Sequence, residues 1–161
     1  MTSWLGSACW AEAMTLGQIA DRRQKDVEAA IGFPLSLTWD IGPYEHFSTP
    51  RGFGVTFTGH SNPRWGRCHI RLSQKLSHAR PDRQDGIIQH ELGHVVDLIC
   101  PPQKLDRWAA ARGVRLPPQE HGELRADSIA QAVWGKPLRY DEDTVQSTLR
   151  GVTPRPAHLG Y

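Results

Sequence analysis

Residues 89–97 read Gln-His-Glu-Leu-Gly-His-Val-Val-Asp, and this stretch decides how the rest of the chain is interpreted. On a helix, His94 lies about 40° around the axis and about 6 Å along it from His90, so both imidazoles project from one face. That separation lets one zinc ion bind a nitrogen of each ring at roughly 2.0–2.1 Å. We therefore predict that His90 and His94 are metal ligands. The helix itself is indicated by the spacing of six apolar residues: Ile87, Ile88, Leu92, Val95, Val96 and Ile99.

Two further residues of this stretch suit a catalytic metal site. Glu91 follows the first histidine, near enough to hold a water molecule at the metal without being a ligand, and we predict that it is the catalytic base. Gly93 supplies no side chain, and glycine inside a helix costs about 1 kcal/mol relative to alanine. We therefore expect a packing reason for Gly93, such as a strand or a substrate that approaches the helix closely.

The third ligand is expected from residues 123–127, which read Glu-Leu-Arg-Ala-Asp. A catalytic zinc ion usually has three protein ligands and a water molecule. Glu123 and Asp127 are four positions apart and share one face of a predicted helix. We predict that Glu123 binds the metal and that Asp127 accepts the far N–H of a ligating histidine, which would fix the tautomer of that ring.

Other residues remain open as alternatives. His121 heads the same helix and is an alternative third ligand. Asp97 lies seven positions after His90 and returns to its face, but a supporting contact or a salt bridge suits it better than ligation. Asp127 and Glu120 are weaker candidates. Three residues could stabilise an oxyanion, and no spacing argument selects one of them: Arg125, Tyr140 and His121.

The composition is that of an ordinary globular chain. Its 161 residues are 39% hydrophobic and 22% charged, which predicts a single domain over residues 1–161. The net charge of +2, from 19 basic and 17 acidic residues, argues against nucleic acid as an obligatory partner. The odd number of cysteines (Cys9, Cys68 and Cys100) argues against a disulfide framework. Residues 1–16 lack the basic start of a signal peptide, and no segment is long enough to span a membrane, so we expect a cytoplasmic location.

The order of the predicted elements indicates an α+β fold. A helix is expected over about residues 15–31, capped by Thr15 and stopped by Gly32, with the charged run 21–26 as a solvated face. Strands follow at 35–39, 54–58 and 67–72, and then the histidine-bearing helix, capped near Asp85 and ending near Cys100. Helices are expected at 104–112, at about 118–134 and in 141–149. We predict a small, mostly antiparallel three-stranded sheet packed on the histidine-bearing helix and on further helices. His60, His69 and His78 are expected to be surface or strand-packing residues.

Taken together, the two motifs resemble those of the zincin metallopeptidases, and within them the gluzincin type. The resemblance is carried by His-Glu-Leu-Gly-His at 90–94 and by Glu123 and Asp127, which begin 29 positions after His94. It covers roughly residues 67–135, the expected catalytic core. It implies a minimal zincin-like fold in which His90, His94 and Glu123 bind one zinc ion and Glu91 is the general base and acid. The distal histidine of the metzincin spacing is missing, which disfavours that branch.

The resemblance also implies a substrate and a way of binding it. Residues 69–71 resemble the edge strand along which zincins bind an extended peptide by β-addition. The predicted function is therefore zinc-dependent hydrolysis of a peptide bond in a peptide or protein substrate. A catalytically silent, zinc-stabilised binding or sensor module is the alternative. A nucleic-acid-associated protein is a weaker one, prompted by the basic residues Arg64, Arg67, Arg71, Lys75, Arg80 and Arg83.

Overall fold

A computed structural model of the chain describes residues 14–43, 54–58 and 67–137. Their elements, in chain order, are α1 (Leu16–Ile31), β1 (Ser36–Gly42), β2 (Gly54–Thr58), β3 (Arg67–Ser73), a 3₁₀ helix (Gln74–His78), α2 (Pro81–Ile99), α3 (Pro102–Ala111) and α4 (Gly122–Trp134). The helix predicted within 141–149 lies outside the described residues, as do Cys9, His60 and Tyr140.

Helix α1 begins and ends where its sequence signals predict. The hydroxyl of Thr15 accepts a hydrogen bond from the backbone N–H of Gln18 at 3.2 Å, and the Gln18 side chain accepts one from the N–H of Thr15 at 2.9 Å. This reciprocal capping box satisfies donors that the first turn leaves unpaired. Gly32 ends the helix in the left-handed region, at φ 87°, where glycine is favoured.

The prediction of a mostly antiparallel sheet is wrong, although the broader α+β class is compatible with the structure. The described strands have the order β1-β3-β2. β1 and β3 are parallel and pair over seven positions, from Ser36 opposite Arg67 to Gly42 opposite Ser73, whereas β2 and β3 are antiparallel over five. β1 and β3 run in the same direction, and β2 runs opposite to both. Because β3 lies between the other two strands, it pairs with β1 as a parallel neighbour. The sheet is therefore mixed, and the longer of its two pairings is the parallel one.

The central position of β3 also corrects the expectation that residues 69–71 form an edge strand. β3 is hydrogen-bonded on both sides, to β1 and to β2. Its inward-facing residues Cys68, Ile70 and Leu72 are almost completely buried, which is the burial expected of a central strand. An extended peptide therefore cannot pair with β3, and among the described strands the outer ones are β1 and β2.

Helix α2 starts one turn earlier than predicted. Its first residue is Pro81, which suits the first helical position because proline lacks an N–H that would otherwise be unpaired there. Asp85 is consequently inside the helix, where its carboxylate accepts two hydrogen bonds of 2.6 Å from the guanidinium of Arg23 on α1. Arg23 belongs to the charged run that was expected to be solvated, so this run contributes a helix-to-helix contact instead.

The helices and the sheet share one hydrophobic core. α2 lies at its centre, where Ile88, Leu92, Val95 and Val96 are 0–1% exposed. The other members come from α1, β3, the 3₁₀ helix, α3 and α4, and include Val27, Ile70, Leu76, Leu105 and Ile129. None of the helices in the described ranges combines the length and the apolar composition needed to cross a bilayer.

Candidate metal centre

Helices α2 and α4 meet backbone to backbone at Gly93. A Cβ atom at this position would lie 2.2 Å from the carbonyl oxygen of Ala126 and 2.8 Å from its carbonyl carbon. No real Cβ tolerates such distances, so Gly93 is required for this approach. The partner is thus a second helix rather than the strand or substrate that the sequence suggested. The crossing point lies between His90 and His94 on α2 and between Glu123 and Asp127 on α4, which brings all four side chains together.

Three of these side chains converge on one point. The Nε2 atoms of His90 and His94 are 3.0 Å apart. The Glu123 carboxylate reaches both rings, with Oε2 at 3.1 Å from the Nε2 of His90 and Oε1 at 3.1 Å from the Nε2 of His94. The rings are nearly perpendicular, at 90°, with their centroids 4.6 Å apart. Within the described part of the chain, these residues form a group of three that could hold a metal ion.

Asp127 contacts the opposite side of the His90 ring. Its Oδ1 lies 2.7 Å from His90 Nδ1, a separation typical of a charge-assisted hydrogen bond. With Asp127 ionised, this bond is made by a proton on Nδ1, so a neutral His90 presents the bare lone pair of Nε2 to His94 and Glu123. Asp127 therefore orients the ring and leaves Nε2 available as a donor to a cation.

Burial and the neighbouring carboxylates shift the pKa values of His90 and His94 in opposite directions. Burial disfavours the charged form of His90, but the charges and hydrogen bonds of Asp127 and Glu123 outweigh it and hold the pKa of His90 well above its usual value. Burial lowers the pKa of His94, and the charge of His90 lowers it further, which Glu123 and Glu91 only partly offset. His90 is therefore the ring that more readily carries a positive charge, and His94 the ring that more readily stays neutral.

The separations of the donor atoms fit a small metal ion. Donors bound tetrahedrally at about 2.0–2.1 Å lie about 3.3 Å from one another. The observed separations of 3.0–3.1 Å would have to widen by only a few tenths of an ångström. The two imidazole nitrogens and the carboxylate therefore form a donor set that could hold a metal ion.

Glu91, the predicted base, is on α2 between the two histidines and is only 1% exposed. Its charge acts on His94, which places its carboxylate near that ring. His94 and Glu123 are slightly more exposed, at 7% and 9%, so access from solvent to the group is narrow.

The other sequence candidates have different positions. His121 is the residue at which α4 is capped and is not a member of the three-residue group. Glu120 is exposed. Arg125, a candidate oxyanion stabiliser, is only 2% exposed and bonds to Asp97 instead. This bond gives Asp97 the salt-bridge role that the sequence favoured. Outside the group, His69 contacts Thr38 on the sheet and His78 ends the 3₁₀ helix.

No model of a known protein family, no characterised protein and no solved structure matches this chain. The functional assignment is therefore argued from the residues of the centre alone.

Proposed function

We propose that this chain is a zinc-dependent metallopeptidase of the zincin type that hydrolyses a peptide bond in a peptide or protein substrate. The observation that carries the proposal is the convergence of His90, His94 and Glu123, whose donor atoms all lie within 4.8 Å of one another. Glu91 lies beside them on the same helix, and Asp127 holds the His90 ring from behind. The predicted roles of all five residues are compatible with these positions.

His90, His94 and Glu123 would hold the metal. Imidazole nitrogens favour zinc over magnesium or calcium, which prefer oxygen donors, and a pair of histidines with one glutamate is the donor set of several catalytic zinc sites. A zinc ion held there supplies Lewis acidity, which lowers the pKa of water toward about 7 and polarises a carbonyl group.

The remaining chemistry belongs to side chains of the chain itself. The Glu91 carboxylate would take a proton from the attacking water and deliver it to the amine that leaves when the peptide bond breaks. The low exposure of Glu91 keeps bulk water away from this transfer. Asp127 would keep the proton of His90 on Nδ1 throughout, so that Nε2 stays available to the metal.

Substitution of Glu91 by glutamine tests the proposal. Glu91→Gln removes the base while keeping the size of the side chain, so we expect zinc content to remain at one ion per chain and cleavage of casein or a quenched peptide library to fall by about 100-fold or more. Glu120→Gln is the matched control, because it makes the same chemical change at an exposed position. Unchanged cleavage by Glu91→Gln would exclude Glu91 as the base.

The burial of the centre favours a second candidate, a zinc-stabilised binding or sensor module without catalytic activity. His90, His94 and Glu123 are 3%, 7% and 9% exposed, which leaves little surface through which a substrate could reach a metal ion held there. The two candidates differ in one measurement. The purified wild type with one zinc ion cleaves peptides if it is an enzyme, and it cleaves neither peptides nor itself if the metal serves only the fold.

A further inference from the structure

Arg125 is a buried cation that the proposed catalytic chemistry does not use. It is 2% exposed and belongs to α4, two residues after Glu123. A guanidinium removed from water is strongly unfavourable unless it is paired and hydrogen-bonded. The bonds of Arg125 therefore matter to whichever parts of the molecule they join.

These bonds join α4 to three other segments. The Nε–H donates to Asp97 Oδ1 on α2 at 3.0 Å, and Nη2 lies 3.0 Å from the same oxygen. Nη1 donates to the backbone carbonyl of Pro117, in the segment that leads into α4, at 2.6 Å, and to Asp106 on α3 at 3.4 Å. One side chain thus fixes α4 against α2 and also fixes the approach to its first turn, where Glu123 lies.

The Arg125–Asp97 bond and the His90–Asp127 bond lie on opposite sides of the contact between α2 and α4. The two helices pack against each other through many residues, and their backbones meet at Gly93 and Ala126. The His90–Asp127 bond lies on the N-terminal side of Gly93 along α2, and the Asp97–Arg125 bond lies on its C-terminal side. A polar bond on each side of this point restrains rotation of α4 on α2.

We propose that Arg125 is a positioning residue for the metal centre: its bond to Asp97 fixes the orientation of α4 on α2, and so lets the Glu123 carboxylate reach both imidazoles. This inference rests on the metal site of the proposed function. The loss of a contact that orients a ligand typically weakens metal binding by about 10- to 100-fold. Removal of Arg125 should therefore change metal binding by more than a general loss of stability explains.

The chain offers a matched control in Arg23. Arg23 also forms a guanidinium–carboxylate pair with α2, through two bonds of 2.6 Å to Asp85. Its contact with α4 is limited to the ring of Trp134 at the C-terminal end of that helix, far along the helix from Glu123. Arg23→Met and Arg125→Met therefore make the same chemical change on two sides of one helix. Only the second change touches the positioning of a ligand.

Cobalt(II) alone is the probe, because its visible absorption reports coordination geometry. We expect Arg125→Met to bind cobalt about 10- to 100-fold more weakly than the wild type and to show a shifted or weaker absorption band. Arg23→Met should keep the wild-type affinity and spectrum even though urea unfolds it more readily. If Arg125→Met does not fold, Asp97→Ala removes the acceptor of the same bond and should show the same two effects.

Wild-type affinity and spectrum in Arg125→Met, or in Asp97→Ala where that variant replaces it, would overturn the inference while leaving the metal centre in place. An equal loss in Arg23→Met would also overturn it, because the effect would then be one of stability. A wild type that binds no cobalt or zinc would overturn the proposed function and this inference together.

Discussion

Helix α2 is held on two sides by interfaces of different kinds. Against α4 it makes a backbone contact at Gly93 and Ala126, and the polar bonds around this contact are 2.7–3.1 Å long. Against α1 it forms the partly exposed ion pair of Asp85 with Arg23, while apolar residues of α1 such as Val27 enter the common core. Side chains can adjust to a small displacement by changing rotamer, but a backbone contact cannot. The α2–α4 interface, which lacks this freedom, is the one that brings together His90, His94 and Glu123.

The largest effect should come from adding one methyl group at the α2–α4 contact. In Gly93→Ala, the new Cβ would collide with the backbone of Ala126, so we expect a loss of about 3 kcal/mol or more in the free energy of unfolding, together with loss of metal binding. Urea unfolding followed by tryptophan fluorescence measures the first, and elemental analysis the second.

Gly17→Ala on α1 is the control for this substitution. The nearest atom to a Cβ there is Thr15 Oγ1 at 4.0 Å, so the side chain fits and the helix gains roughly 0.5–1 kcal/mol. Equal changes in the free energy of unfolding at Gly93 and Gly17 would contradict the close backbone contact of α2 with α4.

Removal of the metal should loosen the same interface while leaving α1 in place. Free zinc at 100 times its dissociation constant stabilises the folded state by about 2.7 kcal/mol, and a chelator should abolish this increment. Hydrogen exchange should then increase at amides of α4 more than at amides of α1. Glu123→Ala provides the comparison, because it lacks one of the donors and should respond little to the chelator. An equal response of both proteins would argue against Glu123 as a ligand.

A cavity on the α1 side should lower stability without changing the centre. Val27 is 1% exposed, and Val27→Ala removes two buried methyl groups, at a cost of roughly 1.5–2 kcal/mol. Because the α1 interface does not position a ligand, zinc affinity at a temperature where the variant is folded should equal that of the wild type. A zinc affinity reduced in proportion to stability would show that the two interfaces are not independent.

The smallest effect concerns pH and the contact of α1 with α4. Burial raises the pKa of Asp26, but hydrogen bonds from Trp134 and Arg23 outweigh this and hold it below its ordinary value of 3.8. A carboxyl group with a lowered pKa stabilises the folded state above the unfolded pKa, and this stabilisation is lost as the pH falls through the folded pKa. At pH 7 the free energy of unfolding of the wild type, measured by thermal unfolding, should exceed that of Asp26→Asn by no more than about 1 kcal/mol. The difference should shrink below pH 3.8. A difference that grows in acid would contradict the assigned contacts.

Local signals predicted the helices and strands well. The capping box at Thr15, the left-handed Gly32 and Gly135, and the proline after Cys100 each act within a few residues, and the structure has helix ends at these places. Helix α2 begins at Pro81 and not after the cap predicted at Asp85, because proline at the first helical position is itself a start signal. The parallel pairing of β1 with β3 depends on which strand takes the central position, and that is decided by the packing of the whole sheet.

The candidate centre was predictable for a similar reason. The spacing of His90 and His94, and that of Glu123 and Asp127, is imposed by helix geometry, so each pair could be placed on one face in advance. The structure brings the two faces together, and the roles of these residues remain predictions. The bonds of Arg23 to Asp85 and of Arg125 to Asp97 could not be foreseen, since the two residues of each pair are 62 and 28 positions apart and no repeat or motif links them.

The order of the donors along the chain has a consequence for biosynthesis. Both histidines lie on α2, whereas Glu123 lies on α4, the last helix of the described residues. On the ribosome, a nascent chain that has exposed only α1, the sheet and α2 offers two imidazoles to a metal ion and no carboxylate from α4. An ion that needs all three donors could be captured only after α4 has emerged, when most of the surrounding core is ready to assemble.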